Sequence, residues 1–401
     1  MVQKTLFLKK TVLIKYAVST FLLMIAISGG GCEKKEATQK GASQEKASEE
    51  EILIGVAGPM TGDQSKIGGD LEGGARLAVE EWNAKGGVLG RKIRLEIGDD
   101  QHDPKQAVSV ANKLINLGIV GMVGHFNSSA SIPASTVYHD AGTLMITPGS
   151  TNPRLTEQGF WNVFRVVGRD DQQGSVAADF IVNKLTAKRV AILHDKTTYG
   201  QGLAKELQNS LEAYKNKGVE ITSFNGVIQG NKDFRGILTT LKQENPDIYF
   251  FGGIFPEGGL LAKQAKEVGL TAPMMSGDGV IDPKFIEIAG AAAEGTYLTF
   301  TPDPDKIPHA ADFLKKYRTK YGEDLAPYAI YAYDATNILL RAVSESKSTD
   351  GRKLAETIRT MKYDGAIGHV EFDGKGDVKK SPYIVWTTQN GRFEEYWKPE
   401  E

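Results

Sequence analysis

The chain reads as an α/β protein in which parallel sheets are covered by helices on both faces. Three observations carry that expectation. Short apolar runs of strand length recur along most of the sequence. Each is followed by a stretch with helical periodicity. The same alternation then starts again in the second half.

Taken in order, residues 52–57 are the first apolar run. Residues 70–85 follow with Leu71, Ala75, Ala78, Val79 and Trp82 on one helical face, and Gly86-Gly87 ends the helix. Residues 93–97 form the next strand, and residues 98–102 a loop. Asp103-Pro104 opens a helix, with Asp as N-cap and Pro in the first turn, and Ala107, Val110, Ala111 and Leu114 form its buried stripe. Residues 119–123 and 144–146 read as buried strands, with a helical stretch at 131–140 between them. In the second half, residues 190–194, 220–224, 248–251 and 273–275 are strands, and residues 201–217, 234–244 and 258–268 are helices. Helices near 308–321, 327–346 and 352–361 follow Tyr297-Leu298-Thr299, and hairpins close the chain from Val370. Asp373-Gly374-Lys375-Gly376-Asp377 is a turn, because its acids lack EF-hand spacing.

Two loops stand apart. Gly124-His125-Phe126-Asn127-Ser128-Ser129-Ala130-Ser131 and Thr147-Pro148-Gly149-Ser150-Thr151-Asn152-Pro153 each follow a buried strand. Ligands of open α/β sheets bind just outside the carboxyl ends of the strands. These loops therefore describe a polar socket rich in hydroxyls, with no Lys, Arg or His–Cys cluster. Serines after a strand also serve as plain helix N-caps, using the same donors. No G-x-S-x-G elbow, Walker A loop or G-x-G-x-x-G motif appears, so no catalytic residue and no cofactor are nominated. The six histidines, at 102, 125, 139, 194, 309 and 369, show no metal-ligand spacing and read as structural or exposed. Asp99-Asp100 with His102-Asp103 reads as a solvated loop.

The N-terminus is built differently. Lys4, Lys9, Lys10 and Lys15 precede an apolar stretch at 17–27 that is short for a membrane span, and small residues 28–31 follow. Residues 1–31 read as a signal peptide, with a single anchor helix as the alternative. Cys32, the only cysteine, comes next, and residues 32–50 form a polar tether without aromatics. Loss of residues 1–31 removes four lysines and no acid, taking the formal charge from −2 to −6. That acidic body argues against nucleic acid as a partner. About 350 residues remain, enough for two domains.

Several motifs together resemble the leucine/isoleucine/valine-binding proteins, the extracytoplasmic components of branched-chain amino acid ABC importers. They are Ala84-Lys85-Gly86-Gly87, Asp103-Pro104-Lys105-Gln106-Ala107-Val108, the two hydroxyl loops, His194-Asp195-Lys196 and Tyr199-Gly200-Gln201-Gly202. The resemblance spans residues 52–386. It implies a type I periplasmic binding fold of two doubly wound lobes with a ligand cleft between them. Lobe 1 would comprise 51–169 plus 299–379, and lobe 2 would comprise 170–298 plus 380–401.

The resemblance also implies a site. Ser128 would bind the carboxylate of a free amino acid, and Thr151 would touch both carboxylate and ammonium. The backbone at Gly149 and Ser150 would accept from the ammonium. Asp278 stands where the family has a Glu facing the ammonium, and Tyr199 and Tyr328 would line the pocket. Ile67 and Ile254 replace aromatics. Phe126 and Asn127 replace a Leu-Cys pair, and His102 replaces the other half of a disulfide found in some relatives. Cys32 resembles the lipidated cysteine of bacterial lipoproteins, although Gly29 departs from that pattern; cleavage leaving a free thiol is the alternative. The expected protein is a monomeric, exported, lipid-tethered receptor, periplasmic or on the cell surface. It would hand an amino acid to an inner-membrane permease. A sensory receptor for an amino acid or amide on the same fold is the alternative.

Overall fold

A computed structural model describes residues 51–322 and 327–400. The signal peptide, Cys32 and the tether lie outside the described residues.

The first sheet is wholly parallel, ordered β2-β1-β3-β4-β5. Its strands are β1 (Ile52–Gly58), β2 (Ile93–Asp99), β3 (Gly121–Val123), β4 (Leu144–Thr147) and β5 (Val163–Arg165). The second sheet contains β6 (Arg189–His194), β7 (Glu220–Gly226), β8 (Ile248–Gly252), β9 (Met274–Ser276) and β10 (Tyr297–Phe300). A small hairpin of β11 (Tyr363–Gly365) and β12 (Gly368–Val370) stands apart from both. Last come β13 (Ile384–Gln389) and β14 (Arg392–Trp397), which extend the second sheet antiparallel beyond β10. That sheet is ordered β14-β13-β10-β9-β8-β6-β7. The central strands β3, β4 and β8 are buried at every residue, as continuous apolar runs in a doubly covered sheet require.

Helix Ser65–Ala84 starts five residues earlier than its stripe suggests, and its apolar face packs on helix Ala329–Ser346. The Asp103 cap is as expected: its carboxylate accepts from the Lys105 and Gln106 N–H groups ahead of helix Pro104–Asn116. The Asp373 turn is held the same way, its Oδ1 accepting from Lys375, Gly376 and Asp377 N–H. The stretch expected as one helix at 201–217 divides into helix Thr198–Glu212 and a short turn at Lys215–Lys217. Pairing of the hairpins begins earlier than Val370, at Tyr363.

Two features were missed. β5 is only three residues long, and helix Asp170–Asp179 opens with four polar residues, which hide its apolar face. The return from the second sheet also comes later than residue 299, since Thr299 and Phe300 still pair with β13. The chain then meets the first sheet again at its far edge, where Asp377 bridges β5 at Arg165.

Candidate functional site

The two hydroxyl loops emerge side by side from β3 and β4, which pair in parallel. Helix Ser128–Asp140 starts three residues earlier than its expected onset, so Ser128 is its first residue. No side chain caps it. The Ala130 and Ser131 N–H groups donate to the Asn127 carbonyl at 2.9 and 2.8 Å, so Ser128 and Ser129 supply the N–H donors that suit an anion. The loops are bonded to each other. Thr147 Oγ1 donates to the carbonyl of His125 at 2.7 Å, and Ser150 Oγ to that of Phe126 at 2.7 Å. The Asn152 N–H reaches Ser128 Oγ at 3.3 Å. The Phe126 ring lies over Gly149, where any Cβ would strike it.

A buried arginine braces this arrangement from below. Arg165, at the carboxyl end of β5, is fully buried. Its Nη1 donates to the carbonyls of Ser150 and Asn152, each at 2.9 Å, and its Nη2 to Thr156 Oγ1 at 2.8 Å. Nε donates to Asp377 Oδ1 at 2.8 Å, and Arg169 adds a bond to Oδ2 at 2.8 Å. Burial pushes the Asp377 carboxyl up, but the two guanidinium groups outweigh it and hold the group below its ordinary value. The only sequence trace of this brace is an arginine ending the apolar run Val163-Phe164.

Asp278 sits beyond β9 of the second sheet, 4% exposed. Its Oδ1 accepts from Tyr199 at 2.7 Å and Gln173 Nε2 at 2.9 Å. Tyr328, just ahead of the long helix packed on the first lobe, reaches its Oδ2 at 3.3 Å. Gln173 Nε2 also touches Asp170 Oδ1 at 3.1 Å, so one amide joins two buried acids. Burial raises the pKa of both carboxyls. For Asp170 the negative charge of Asp278 adds to the rise. Asp170 Oδ2 and the Thr151 hydroxyl are both buried, and hydrogen bonding from Thr151 works against the rise that burial gives Asp170. Asp170 had no place in the sequence reading, because it stands in the polar run Asp170-Asp171-Gln172-Gln173, which carries no local mark of burial.

Phe126, Asn127, Ser128, Gly149, Tyr199, Ile254, Asp278, Gly279 and Tyr328 enclose a small cavity of about 20 Å³. That is room for one water, so an amino acid enters only if the two lobes part. Seven of the ten residues expected at a ligand site thus converge: Phe126, Ser128, Gly149, Tyr199, Ile254, Asp278 and Tyr328. Three do not line the cavity. Ile67 is packed in the core. The Ser150 carbonyl, expected to accept from an ammonium, accepts from Arg165 Nη1, and its hydroxyl bonds Ser131 Oγ and Phe126 O between the loops. Thr151 lies behind the cavity wall, 1% exposed.

The Asp99–Asp103 segment is not the solvated loop that its polarity suggests. Asp100 is fully buried, and its Oδ2 meets His125 Nδ1 at 2.7 Å, with Tyr138 on the other ring nitrogen at 3.3 Å. Asp99 ties the β1 loop through Met60 and Thr61 N–H. His102 Nδ1 faces Gln64 Nε2 at 2.5 Å, and Gln64 Oε1 accepts from Asn127 at 3.0 Å. A polar chain therefore joins His102 to Asn127 through Gln64. From the other lobe, Gln229 Nε2 approaches the same His102 nitrogen at 3.2 Å. Among the described residues no group of three or more His, Cys, Asp or Glu could hold a metal.

The arrangement suits a zwitterion. The Ser128 and Ser129 N–H groups and the hydroxyls are suited to an anion on one side, and the two buried acids are suited to a cation on the other.

Known proteins with this pattern are abundant. The periplasmic binding protein family matches residues 51–392. A Leu/Ile/Val-binding protein homolog of Brucella suis is 41% identical over 347 residues, covering 86% of this chain and 92% of its own. The leucine-, isoleucine-, valine-, threonine-, and alanine-binding protein of Pseudomonas aeruginosa is 37% identical, covering 84% and 89%. A leucine binding protein from Thermotoga maritima superposes with a TM-score of 0.81 at 32% identity, over 87% of this chain and 99% of that one. The branched-chain amino acid transporter substrate binding protein of Streptococcus pneumoniae, in complex with isoleucine, gives 0.80 at 28% identity, over 87% and 100%.

Proposed function

Since the chain belongs to the periplasmic binding protein family, we propose that it captures a free amino acid between its lobes and presents it to an ABC importer. The ligand is branched-chain or another small apolar amino acid, as the names of its relatives suggest. One observation carries this reading: the buried acids Asp170 and Asp278 stand joined by Gln173, with no cationic side chain bonded to either. Two carboxyls buried side by side keep their charge only beside a positive group, and a ligand ammonium supplies one. Ser128 and the start of its helix take the carboxylate, Tyr199 and Tyr328 flank the ammonium, and Thr151, outside the closed cavity, would reach the ligand only as the lobes part to admit it. With each lobe holding one charge, ligand binds the closed form better and draws the equilibrium to it.

Export through the signal peptide and a lipid on Cys32 would keep the receptor near its permease, with residues 33–50 as the leash. It would work as a monomer. Replacement of Cys32 by Ala should then release the protein from membranes; retention there would sink the lipid anchor and leave the receptor reading intact.

The direct test is calorimetric titration of a form beginning near Glu50 with the twenty amino acids and a few amides. Micromolar or tighter binding of leucine, isoleucine or valine is expected. Binding of amides alone would overturn the zwitterion reading and favour the sensory alternative. Recovery of the bound amino acid unchanged after long incubation is expected of a receptor; its conversion would point to an enzyme.

A further inference from the structure

Asn127 lines the cavity beside Phe126 and Ile254, 6% exposed. Its amide is used on one side only. Nδ2 donates to Gln64 Oε1 at 3.0 Å, and Gln64 is itself held by His102. That chain fixes which end of the Asn127 amide turns away. The remaining end, Oδ1, is a buried acceptor with no hydrogen-bond partner. Buried polar groups are costly when unpaired, and because Asn127 is among the residues around the cavity, a bound ligand is a source of the missing donor once the lobes part and close on it.

We propose that Asn127 sets specificity by accepting a hydrogen bond from a hydroxyl on the β-carbon of the bound amino acid. Threonine is therefore preferred over valine, which has the same shape but a methyl group in place of the hydroxyl. Gln64 acts as a positioning residue that holds the amide in register. A pocket built to bond a hydroxyl discriminates against the isostere lacking one, because the protein acceptor is left unpaired. The walls Phe126 and Ile254 still suit the methyl group that the two ligands share. The inference rests on the amino acid reading of the cavity.

The experiment compares threonine, valine and allo-threonine by calorimetry on the same protein. Threonine should bind about 3- to 10-fold tighter than valine, the range set by one net hydrogen bond. Allo-threonine, with its hydroxyl and methyl exchanged, should lose that advantage. In Asn127→Leu the threonine-to-valine ratio should fall to one or below, and in Gln64→Leu it should fall partway. Valine bound as tightly as threonine by the unaltered protein would overturn the role of Asn127 while leaving the receptor reading standing. An unchanged ratio in Asn127→Leu would do the same. Failure of all three to bind would overturn this inference, and failure of leucine and isoleucine as well would overturn the amino acid reading itself. The comparison with allo-threonine needs no variant, so it holds even if Asn127→Leu does not fold.

Discussion

The hydroxyl of Tyr328 bonds the carboxylate of Asp278 across the cleft, Oη to Oδ2 at 3.3 Å, and also meets the Asp278 carbonyl at 3.2 Å. One residue precedes the helix packed on the first lobe, and the other follows β9 of the second. With Asn152 Nδ2 on the Thr198 carbonyl at 2.8 Å and Gln229 on His102, it holds the lobes together. On the proposed reading an incoming ammonium would need the same Asp278 oxygens, and ligand entry would exchange a tyrosine bond for a charge-assisted one.

Tyr328→Phe keeps the ring against Phe126, whose centroid lies 4.6 Å away, and removes only the bond across the cleft. The closed form should lose about 0.5–1.5 kcal/mol. Small-angle scattering of the protein without amino acid should show a larger mean radius than the parent. An identical radius would mean that this bond does not hold the lobes.

Asp278→Asn should weaken amino acids more than analogues lacking the ammonium, and equal losses would remove Asp278 from its assigned role. The pH dependence has a definite sign. Burial raises the pKa of Asp278 and Asp170, and a bound ammonium requires the carboxylates. Affinity should therefore fall on acidification at a pH above the ordinary carboxyl value of 3.8, as titration calorimetry across a pH series would detect.

Thr151→Ala removes a buried hydroxyl next to the Asp170 carboxyl. If that hydroxyl bonds the ligand, affinity for every α-amino acid should drop by about 1–3 kcal/mol. Unchanged affinity with a rise in stability would mean that Thr151 only fills space.

Asp377→Asn leaves the fully buried Arg165 without its counter-charge. Removing one partner of a buried ion pair costs about 3–5 kcal/mol, which urea unfolding at neutral pH should register. Because the folded pKa of Asp377 is depressed, the stability it gives the parent is present above the unfolded carboxyl value. That stability is lost as pH falls through the lower folded one. The variant should lack that part of the acid dependence.

His102 titrates in the opposite range. Burial lowers its pKa from 6.5, against an upward pull from Asp100 and Asp103. Its neutral ring accepts from Gln64, and Gln229 adds a second amide contact. The folded, closed form should be at full stability above about 6.5 and lose stability as pH falls below that value. The loss should level off once the depressed value is passed. Thermal unfolding of the parent and of His102→Gln between pH 7.5 and 5 would show it as a slope present in the first and absent in the second.

The sequence by itself determined the α/β class, the strand order of events along the chain and the two hydroxyl loops. Those depend on local signals: apolar runs, helical stripes, the Asp103-Pro104 cap and hydroxyls clustered after a strand. The tertiary structure alone decided what each polar side chain does. Asp100 reads as solvated beside Asp99 and His102, yet it is buried because His125, 25 residues away, meets it. The Ser150 carbonyl reads as an acceptor for a ligand and is held by Arg165 from β5. Arg165 and Asp377 are 212 residues apart and carry no local pattern, yet they brace the socket. A buried polar group is placed by its partners rather than by its neighbours in sequence, since its cost is offset only where a distant element supplies a donor or acceptor.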